Sequence, residues 1–172
     1  MKDVLLVVDV LNDFEHEDGD KLLESFRERQ PALVAALSSA RERGIPVIYA
    51  NDNYGVWDGD ARAQVERARA GKGSDLIPDI APKEGDRFIV KPRYSAFDHT
   101  PLELILRELE TERILLVGMA TEMCVTQTAI LAREEDFKVT VLADACACIH
   151  EENERIALTY LERVAGVRVE TI

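Results

Sequence analysis

The chain has 172 residues, of which 47% are hydrophobic and 31% are charged, and its formal net charge is -12. This length and composition predict one globular domain, residues 1–172, with a core of its own. The negative charge argues against anionic partners such as nucleic acids and acidic membrane surfaces, and leaves a small molecule as the expected partner. The first apolar run, VLLVV, is too short and too closely flanked by Asp3 and Asp9 to form a signal peptide. Three cysteines are an odd number and do not make a disulfide framework, so we expect a cytoplasmic protein.

Short apolar runs alternate with longer amphipathic stretches along the chain. Continuous, β-branched runs predict strands over residues 4–9, 46–50, 86–90, 114–117, 138–142 and 167–169. The stretches between them predict helices over residues 21–43, 100–109, 122–135 and 151–165. Alternating strands and helices predict a parallel sheet with right-handed crossovers, and hence a three-layer α/β domain.

The connection over residues 51–82 interrupts this alternation. It contains a short charged helix candidate over residues 59–70, the glycine-rich GKG at residues 71–73 and two prolines. Long connections in α/β domains often cover the ligand crevice, and we expect the same of this one.

Three reactive side chains stand at or just after the ends of predicted strands. Asp9 closes LLVVD, Lys91 closes RFIVK, and Cys124 follows ILLVGMATEM. Taken singly, they are typical of a turn residue, a solvated lysine and a small core residue. Because all strands of a parallel sheet end on the same side, the three residues together predict a site at that edge.

The chemistry of a cysteine nucleophile requires this set of groups. A free thiol titrates near pH ~8.5 and is mostly protonated at neutral pH. A helix N-terminus and an ammonium stabilise the thiolate, while a carboxylate can accept the thiol proton. Backbone N–H groups in the turn before the helix can hold the oxyanion that forms when sulfur attacks a carbonyl. The sequence therefore predicts a Cys–Asp–Lys site without a histidine base.

The segments VVDVLNDF, KPRYSAF and GMATEMCVTQTA resemble, in order and spacing, the signature segments of isochorismatase-like cysteine hydrolases. That family includes nicotinamidases, N-carbamoylsarcosine amidases, ureidoacrylate and biuret hydrolases, and isochorismatases. The resemblance implies Asp9 as proton acceptor, Lys91 as charge stabiliser and Cys124 as nucleophile. It also implies a cis peptide bond between Met119 and Ala120, with the N–H groups of Ala120 and Cys124 as the oxyanion hole.

The family resemblance further implies a doubly wound, six-stranded parallel sheet in the order 3-2-1-4-5-6. In that order the strand before Lys91 lies at the edge of the sheet, so its side chain has to reach inward. Homo-oligomers, dimers or tetramers, are implied as well.

Departures from the family pattern narrow the prediction. Metal-dependent nicotinamidases carry an Asp-x-His motif after the second strand, whereas this chain reads NDNYGVWDGD and has no histidine between His16 and His99. We therefore expect no catalytic metal and no cofactor. Leu11 stands where many members have glutamine. The ACACIH segment, with Cys146 and Cys148, lacks a second cluster and is a weak metal signal.

Five aromatic residues fall in loops expected to overhang the site: Phe14, Tyr54, Trp57, Tyr94 and Phe97. They predict an apolar wall for the substrate, with a place in the core or at a subunit contact as the alternative for each.

The residues together predict a cofactor-free hydrolase that cleaves a C–N bond of a small amide or ureido compound through a Cys124 thioester. One alternative is vinyl-ether hydrolysis of the isochorismatase type, in which Asp9 acts as the acid and Cys124 is only part of the wall. Another is a thiol-based redox or binding module, and a third is a catalytically silent homologue.

Overall fold

A computed structural model describes residues 1–57 and 60–172, and within these ranges the strands form one parallel sheet. The strands are β1 (Asp3–Val8), β2 (Val47–Asp52), β3 (Arg87–Lys91), β4 (Arg113–Met119), β5 (Lys138–Ala147) and β6 (Arg168–Glu170). Their order in the sheet is β3-β2-β1-β4-β5-β6. The expected parallel sheet and its order are therefore confirmed.

Helices connect these strands. They are α1 (Gly19–Glu42), α2 (Ala61–Ala70), α3 (Ile77–Ile80), α4 (Leu102–Glu108), α5 (Thr126–Glu134) and α6 (Glu151–Arg163). A 3₁₀ turn (Ser74–Leu76) precedes α3, and a π-helical turn (Thr121–Val125) precedes α5. Over the described ranges, every helix is too short or too polar to cross a bilayer.

The core lies on both faces of the sheet because successive strand residues point to opposite sides. In β1, Leu5 and Val7 pack on the face covered by α1, whereas Leu6 and Val8 pack on the face covered by α4 and α5. A strand covered on both faces needs apolar residues at every position, which explains the continuous run DVLLVV. The domain thus has the three layers that the alternation predicted.

Several predicted boundaries differ from the observed ones. β5 continues five residues past its predicted end at residue 142, because after a register shift its last residues pair with β4, including Cys146 with Gly118. The helix predicted over residues 122–135 begins as the π-helical turn rather than as a regular α-helix. The predicted start of the charged helix at residue 59 lies outside the described residues, and α2 begins at Ala61.

Gly118 allows β1 and β4 to approach each other just before both strands end. It is paired with Val8 in the sheet, and a Cβ atom at this position would lie 2.1 Å from the carbonyl oxygen of Val8. Its φ of +127° also excludes most side chains. This close approach brings Asp9, directly after β1, next to the turn that follows β4.

Candidate functional site

Asp9 is the first residue after β1 and is held by the end of β2. Its backbone has a φ of 54°, in the left-handed region that residues other than glycine rarely adopt. Its N–H donates to the carbonyl of Ala50 at 3.0 Å, and its Oδ1 accepts from the N–H of Asp52 at 2.8 Å. The carboxylate is thereby fixed in position although it lies outside regular structure.

Lys91 is the last residue of the edge strand β3, yet its side chain is only 2% exposed. Its Nζ lies 2.7 Å from Oδ2 of Asp9 and donates to the carbonyl of Arg93 at 2.9 Å. Since Asp52 of β2 is the neighbour of Lys91 in the sheet, the ammonium reaches across the end of β2. The inward reach that the predicted strand order required is therefore observed.

Cys124 lies in the π-helical turn that follows β4 and is partly exposed. Its Sγ lies 3.5 Å from Nζ of Lys91, and the same Nζ lies 2.7 Å from Oδ2 of Asp9. The structure thus brings together Asp9, Lys91 and Cys124 from three separate parts of the sequence.

The charges in this cluster depend on one another. Burial raises the pKa of Asp9. The charge of Lys91 and the surrounding hydrogen bonds lower it by less, so the net direction is upward. Burial lowers the pKa of Lys91, but the charge of Asp9 and the contact with Cys124 raise it, and the net direction is upward. Burial and the charge of Asp9 raise the pKa of Cys124 to about 12, although Lys91 acts in the opposite direction. Burial and the charge of Asp9 therefore favour the protonated sulfur in the free protein, against the thiolate that the helix start and Lys91 favour.

The turn between β4 and Cys124 contains the predicted oxyanion-hole residues. The peptide bond between Met119 and Ala120 is cis. The carbonyl of Ala120 accepts from the N–H of Met123 at 3.0 Å, and the hydroxyl of Thr121 donates to Oε1 of Glu154 at 2.9 Å. The first contact lies within the turn, and the second ties the turn to α6.

A cavity of about 470 Å³ opens beside Lys91 and Cys124. Its lining mixes polar and apolar surface and consists of Asp52, Lys91, Pro92, Arg93, Tyr94, Asp98, Cys124 and Gln127. Sequence reasoning missed Asp52, Arg93, Asp98 and Gln127. Asp52 follows a predicted strand just as Asp9 does, and Gln127 stands three residues after Cys124, on the same helical face, so both carried a signal.

The connection over residues 51–82 covers less of the cavity than we expected. Within its described part, Asp52 at the end of β2 is the residue that lines the cavity. Farther along, Lys72 N–H donates to the carbonyl of Asp13 at 3.1 Å, so this segment packs on the loop after β1.

Two of the five predicted aromatic residues belong to the core. Phe14 is fully buried, and its ring centroid lies 5.9 Å from that of Phe26 on α1. Phe97 is partly buried, with its ring centroid 6.3 Å from that of Phe137. The predicted contact of Phe14 with substrate is therefore wrong, because the apolar ring is sealed between α1 and the sheet, and Phe97 packs similarly on the opposite face.

The remaining three aromatic residues have different surroundings. The Tyr54 hydroxyl donates to the carbonyl of Leu11 at 3.0 Å, and the guanidinium of Arg67 stacks on its ring at 3.9 Å. Trp57 is 68% exposed and does not line the cavity. Tyr94 does line it, so the expected aromatic wall is reduced to this one residue of the five.

The residues at the end of β2 do not fit the catalytic metal found in some members of the family. Asn51 uses both atoms of its amide to bind the backbone of Leu11, and Oδ1 of Asp52 accepts from the N–H of Tyr54. Throughout the described ranges, no three His, Cys, Asp or Glu side chains are grouped so that they could hold a metal ion. In the ACACIH segment, Cys146 is fully buried and Cys148 lies against Ser25 on α1.

Comparison with known proteins agrees with this architecture. Residues 3–171 match the isochorismatase domain. The uncharacterized isochorismatase family protein YaaI of Bacillus subtilis is 34% identical over 97% of this chain and 92% of its own length. The crystal structure of nicotinamidase PncA from Bacillus subtilis superposes with a TM-score of 0.79 at 27% identity, covering 99% of both chains. N-carbamoylsarcosine amidase from Thermoplasma acidophilum gives a TM-score of 0.71 at 28% identity, covering 99% of this chain and 96% of its own. The chain therefore belongs to the isochorismatase family.

Proposed function

We propose that this protein is a cysteine amidohydrolase that cleaves a C–N bond of a small amide or ureido compound through a thioester on Cys124. The observation that carries the proposal is the cluster of carboxylate, ammonium and thiol, with Nζ of Lys91 2.7 Å from Asp9 and 3.5 Å from Cys124, beside an open cavity. A thiol within reach of a carboxylate base is the arrangement that nucleophilic catalysis needs.

The reaction begins with the transfer of the thiol proton to Asp9. Because the pKa of Cys124 is about 12, the proton leaves as sulfur attacks the carbonyl carbon rather than beforehand. The raised pKa of Asp9 makes its carboxylate a better base than an exposed aspartate. Lys91 stays protonated and stabilises the negative charge as it moves from Asp9 to the substrate.

The tetrahedral intermediate then collapses. Its oxyanion is held by the N–H groups of Ala120 and Cys124, in the first turn of a helix, where N–H groups lack intrahelical partners. Asp9 returns its proton to the departing nitrogen, and the C–N bond breaks to leave a thioester. Water attacks the thioester while Asp9 takes its proton, the C–S bond breaks, and Asp9 reprotonates the sulfur as the acid is released.

The charged side chains of the cavity lining favour a small substrate that carries polar groups. Arg93 makes no ion pair within the described residues, so its guanidinium is available to a carboxylate or carbonyl of the substrate. The carboxylates of Asp52 and Asp98 can accept N–H groups, in which ureido compounds are rich. Tyr94 offers one apolar surface at the opening.

The names of relatives support C–N hydrolysis. The structural neighbours are called nicotinamidase and N-carbamoylsarcosine amidase, names that denote the hydrolysis of amide-type bonds.

The prediction of a homo-oligomer is part of the proposal, and light scattering of the purified protein tests it.

The proposal is tested by measuring ammonia release from a panel of ureido acids, aliphatic amides and aromatic amides. Intact-protein mass spectrometry after rapid acid quenching should then show an acyl adduct on Cys124. Cys124→Ala and Cys124→Ser should both abolish turnover and the adduct, whereas Cys148→Ala, which alters a thiol 3% exposed beside Ser25, should keep both.

Other outcomes distinguish the alternatives. Full turnover of Cys124→Ala on the identified substrate would rule out the thioester. Cleavage of a vinyl ether by both the wild type and Cys124→Ala, with no turnover of the amide panel, would favour ether hydrolysis with Asp9 as the acid. A protein that turns over no compound of the panel, and whose Cys124 forms mixed disulfides reversibly, would instead favour a redox or binding module.

A further inference from the structure

The loop after β1, residues 9–14, is held by side chains of β2 and of the connection that follows it. Asn51, the second-last residue of β2, is 1% exposed. Its Oδ1 accepts from the N–H of Leu11 at 3.0 Å, and its Nδ2 donates to the carbonyl of the same residue at 3.1 Å. The amide of Asn51 thus binds both polar backbone groups of one residue, as a neighbouring strand would.

Other contacts in the same region fix the backbone around Asp9. Asp9 N–H donates to Ala50, Asp52 N–H donates to the carboxylate of Asp9, and the Tyr54 hydroxyl adds a second donor to the carbonyl of Leu11. A left-handed φ on a non-glycine residue costs of order 1–3 kcal/mol and persists only when its surroundings impose it. The bonds to Leu11 lie two residues from this strained position, on its C-terminal side, where β1 no longer restrains the chain.

We propose that Asn51 is a positioning residue, which holds Leu11 so that the carboxylate of Asp9 stays directed at Lys91 and Cys124. Asn51 does not line the cavity, so it acts through the loop and not on the substrate. Asparagine suits this role because its amide has both a donor and an acceptor, whereas aspartate would lose the donor and add a buried charge. The inference rests on the proposed function for its catalytic consequence, but the position of Asp9 can be measured without turnover.

The turnover experiment compares Asn51→Ala with Asn53→Ala. Asn53 is the matched control because it is also buried, while its Oδ1 accepts from Gly55 within its own turn. Asn51→Ala should lower kcat about 100-fold, as expected when a catalytic group is displaced by about 1 Å, with little change in KM. The acidic limb of the pH profile of kcat/KM should move to higher pH. The N–H of Asp52 lowers the pKa of Asp9, and a displaced carboxylate loses that bond. A role in stability alone would lower the melting temperature without moving this limb.

The second experiment needs no substrate. The charge of Asp9 raises the pKa of Cys124, so a displaced Asp9 should increase the rate of iodoacetamide alkylation of Cys124 at pH 7. The titratable groups that face Asp9 are Lys91 of β3 and Cys124, with Asp52 and Tyr54 nearby. These groups are unchanged in Asn51→Ala, so the change in rate reports the position of Asp9.

The proposal would be overturned if Asn51→Ala and Asn53→Ala had the same kcat, the same acidic limb of the pH profile and the same alkylation rate. If Asn51→Ala does not fold, Asn51→Ser replaces it, because the shorter hydroxyl cannot keep both bonds to the backbone of Leu11. It should lower kcat several-fold and accelerate alkylation, and wild-type values for both would also overturn the proposal. If the wild-type protein hydrolyses no amide, the proposed function fails while the alkylation rates still decide the role of Asn51.

Discussion

Nζ of Lys91 lies 2.7 Å from Oδ2 of Asp9, although β2 lies between β3, which Lys91 ends, and β1, which Asp9 follows. Both side chains are largely buried, and each compensates for the cost of burying the other's charge. The pair is also placed against the sulfur of Cys124, so a change in either charge should alter the proton affinity of the other two groups.

Replacing Lys91 by methionine should raise the pKa of Asp9 and weaken its role as a base. The ammonium lowers the pKa of Asp9, and without it the raising effect of burial is opposed only by the remaining contributions of Cys124 and Asp52. We expect kcat/KM at pH 7 to fall about 100-fold or more, and the acidic limb of the pH profile to move to higher pH. The measurement is kcat/KM from pH 5 to pH 9, with Lys72→Met, at an exposed lysine, as control. An unmoved acidic limb would contradict the coupling between Lys91 and Asp9.

Replacing Asp9 by asparagine should have opposite effects on hydrolysis and on thiol reactivity. Turnover should fall about 10²- to 10⁴-fold because the general base is lost. Alkylation of Cys124 by iodoacetamide at pH 7 should become faster, since the negative charge that raises its pKa is removed while Lys91 remains. Peptide mass mapping locates the modified thiol. Asp13→Asn, on the same loop but paired with Arg67, should leave the alkylation rate unchanged. A slower rate in Asp9→Asn would contradict the assigned direction of the charge effect.

Substitution of Phe14 should affect stability, whereas substitution of Tyr94 should affect substrate binding. Phe14→Ala removes a fully buried ring and should lower the free energy of unfolding by about 3–5 kcal/mol, with KM unchanged in the folded fraction. Tyr94→Ala removes a side chain that is 53% exposed at the cavity, so it should raise KM and change stability by less than about 0.5 kcal/mol. Denaturant unfolding and initial-rate kinetics measure the two effects. A raised KM for Phe14→Ala would restore its predicted place in the substrate pocket.

Gly118→Ala should prevent the ends of β1 and β4 from approaching each other closely. The new Cβ would meet the carbonyl oxygen of Val8 at 2.1 Å, in addition to the strain of φ +127°. We expect the free energy of unfolding to fall by more than about 4 kcal/mol, or the protein not to fold. Gly44→Ala is the control, because its φ of +66° is also positive but open space surrounds it, and it should cost only about 1–2 kcal/mol. Similar melting temperatures for the two variants would show that the strands do not need this close approach.

Much of the fold could be predicted because its signals are local. The run DVLLVV predicts a strand covered on both faces, and β1 extends from Asp3 to Val8. Alternation of strands and helices then implies parallel strands whose carboxyl ends share one edge, which is sufficient to group Asp9, Lys91 and Cys124. The strand order followed from the family resemblance rather than from these local signals.

The aromatic residues show where this reasoning fails. Phe14 and Tyr94 both lie in loops near strand ends, and their sequence neighbourhoods do not distinguish a core position from a cavity wall. The outcome depends on what packs against each ring, which is α1 for Phe14 and open solvent for Tyr94. Such packing involves residues far away in the chain.

The ionisation of Cys124 was also decided by tertiary structure. Its sequence position, near a helix start, favours a thiolate, and a lysine at the same edge of the sheet favours it further. Burial and the carboxylate of Asp9 reverse this preference, and both depend on distances of a few ångströms between separate strands. Local patterns therefore determined which side chains meet at the edge of the sheet. Only the packed structure decided their protonation and which neighbours, such as Asn51, hold them, because charge interactions and desolvation depend on spatial separation and not on spacing along the chain.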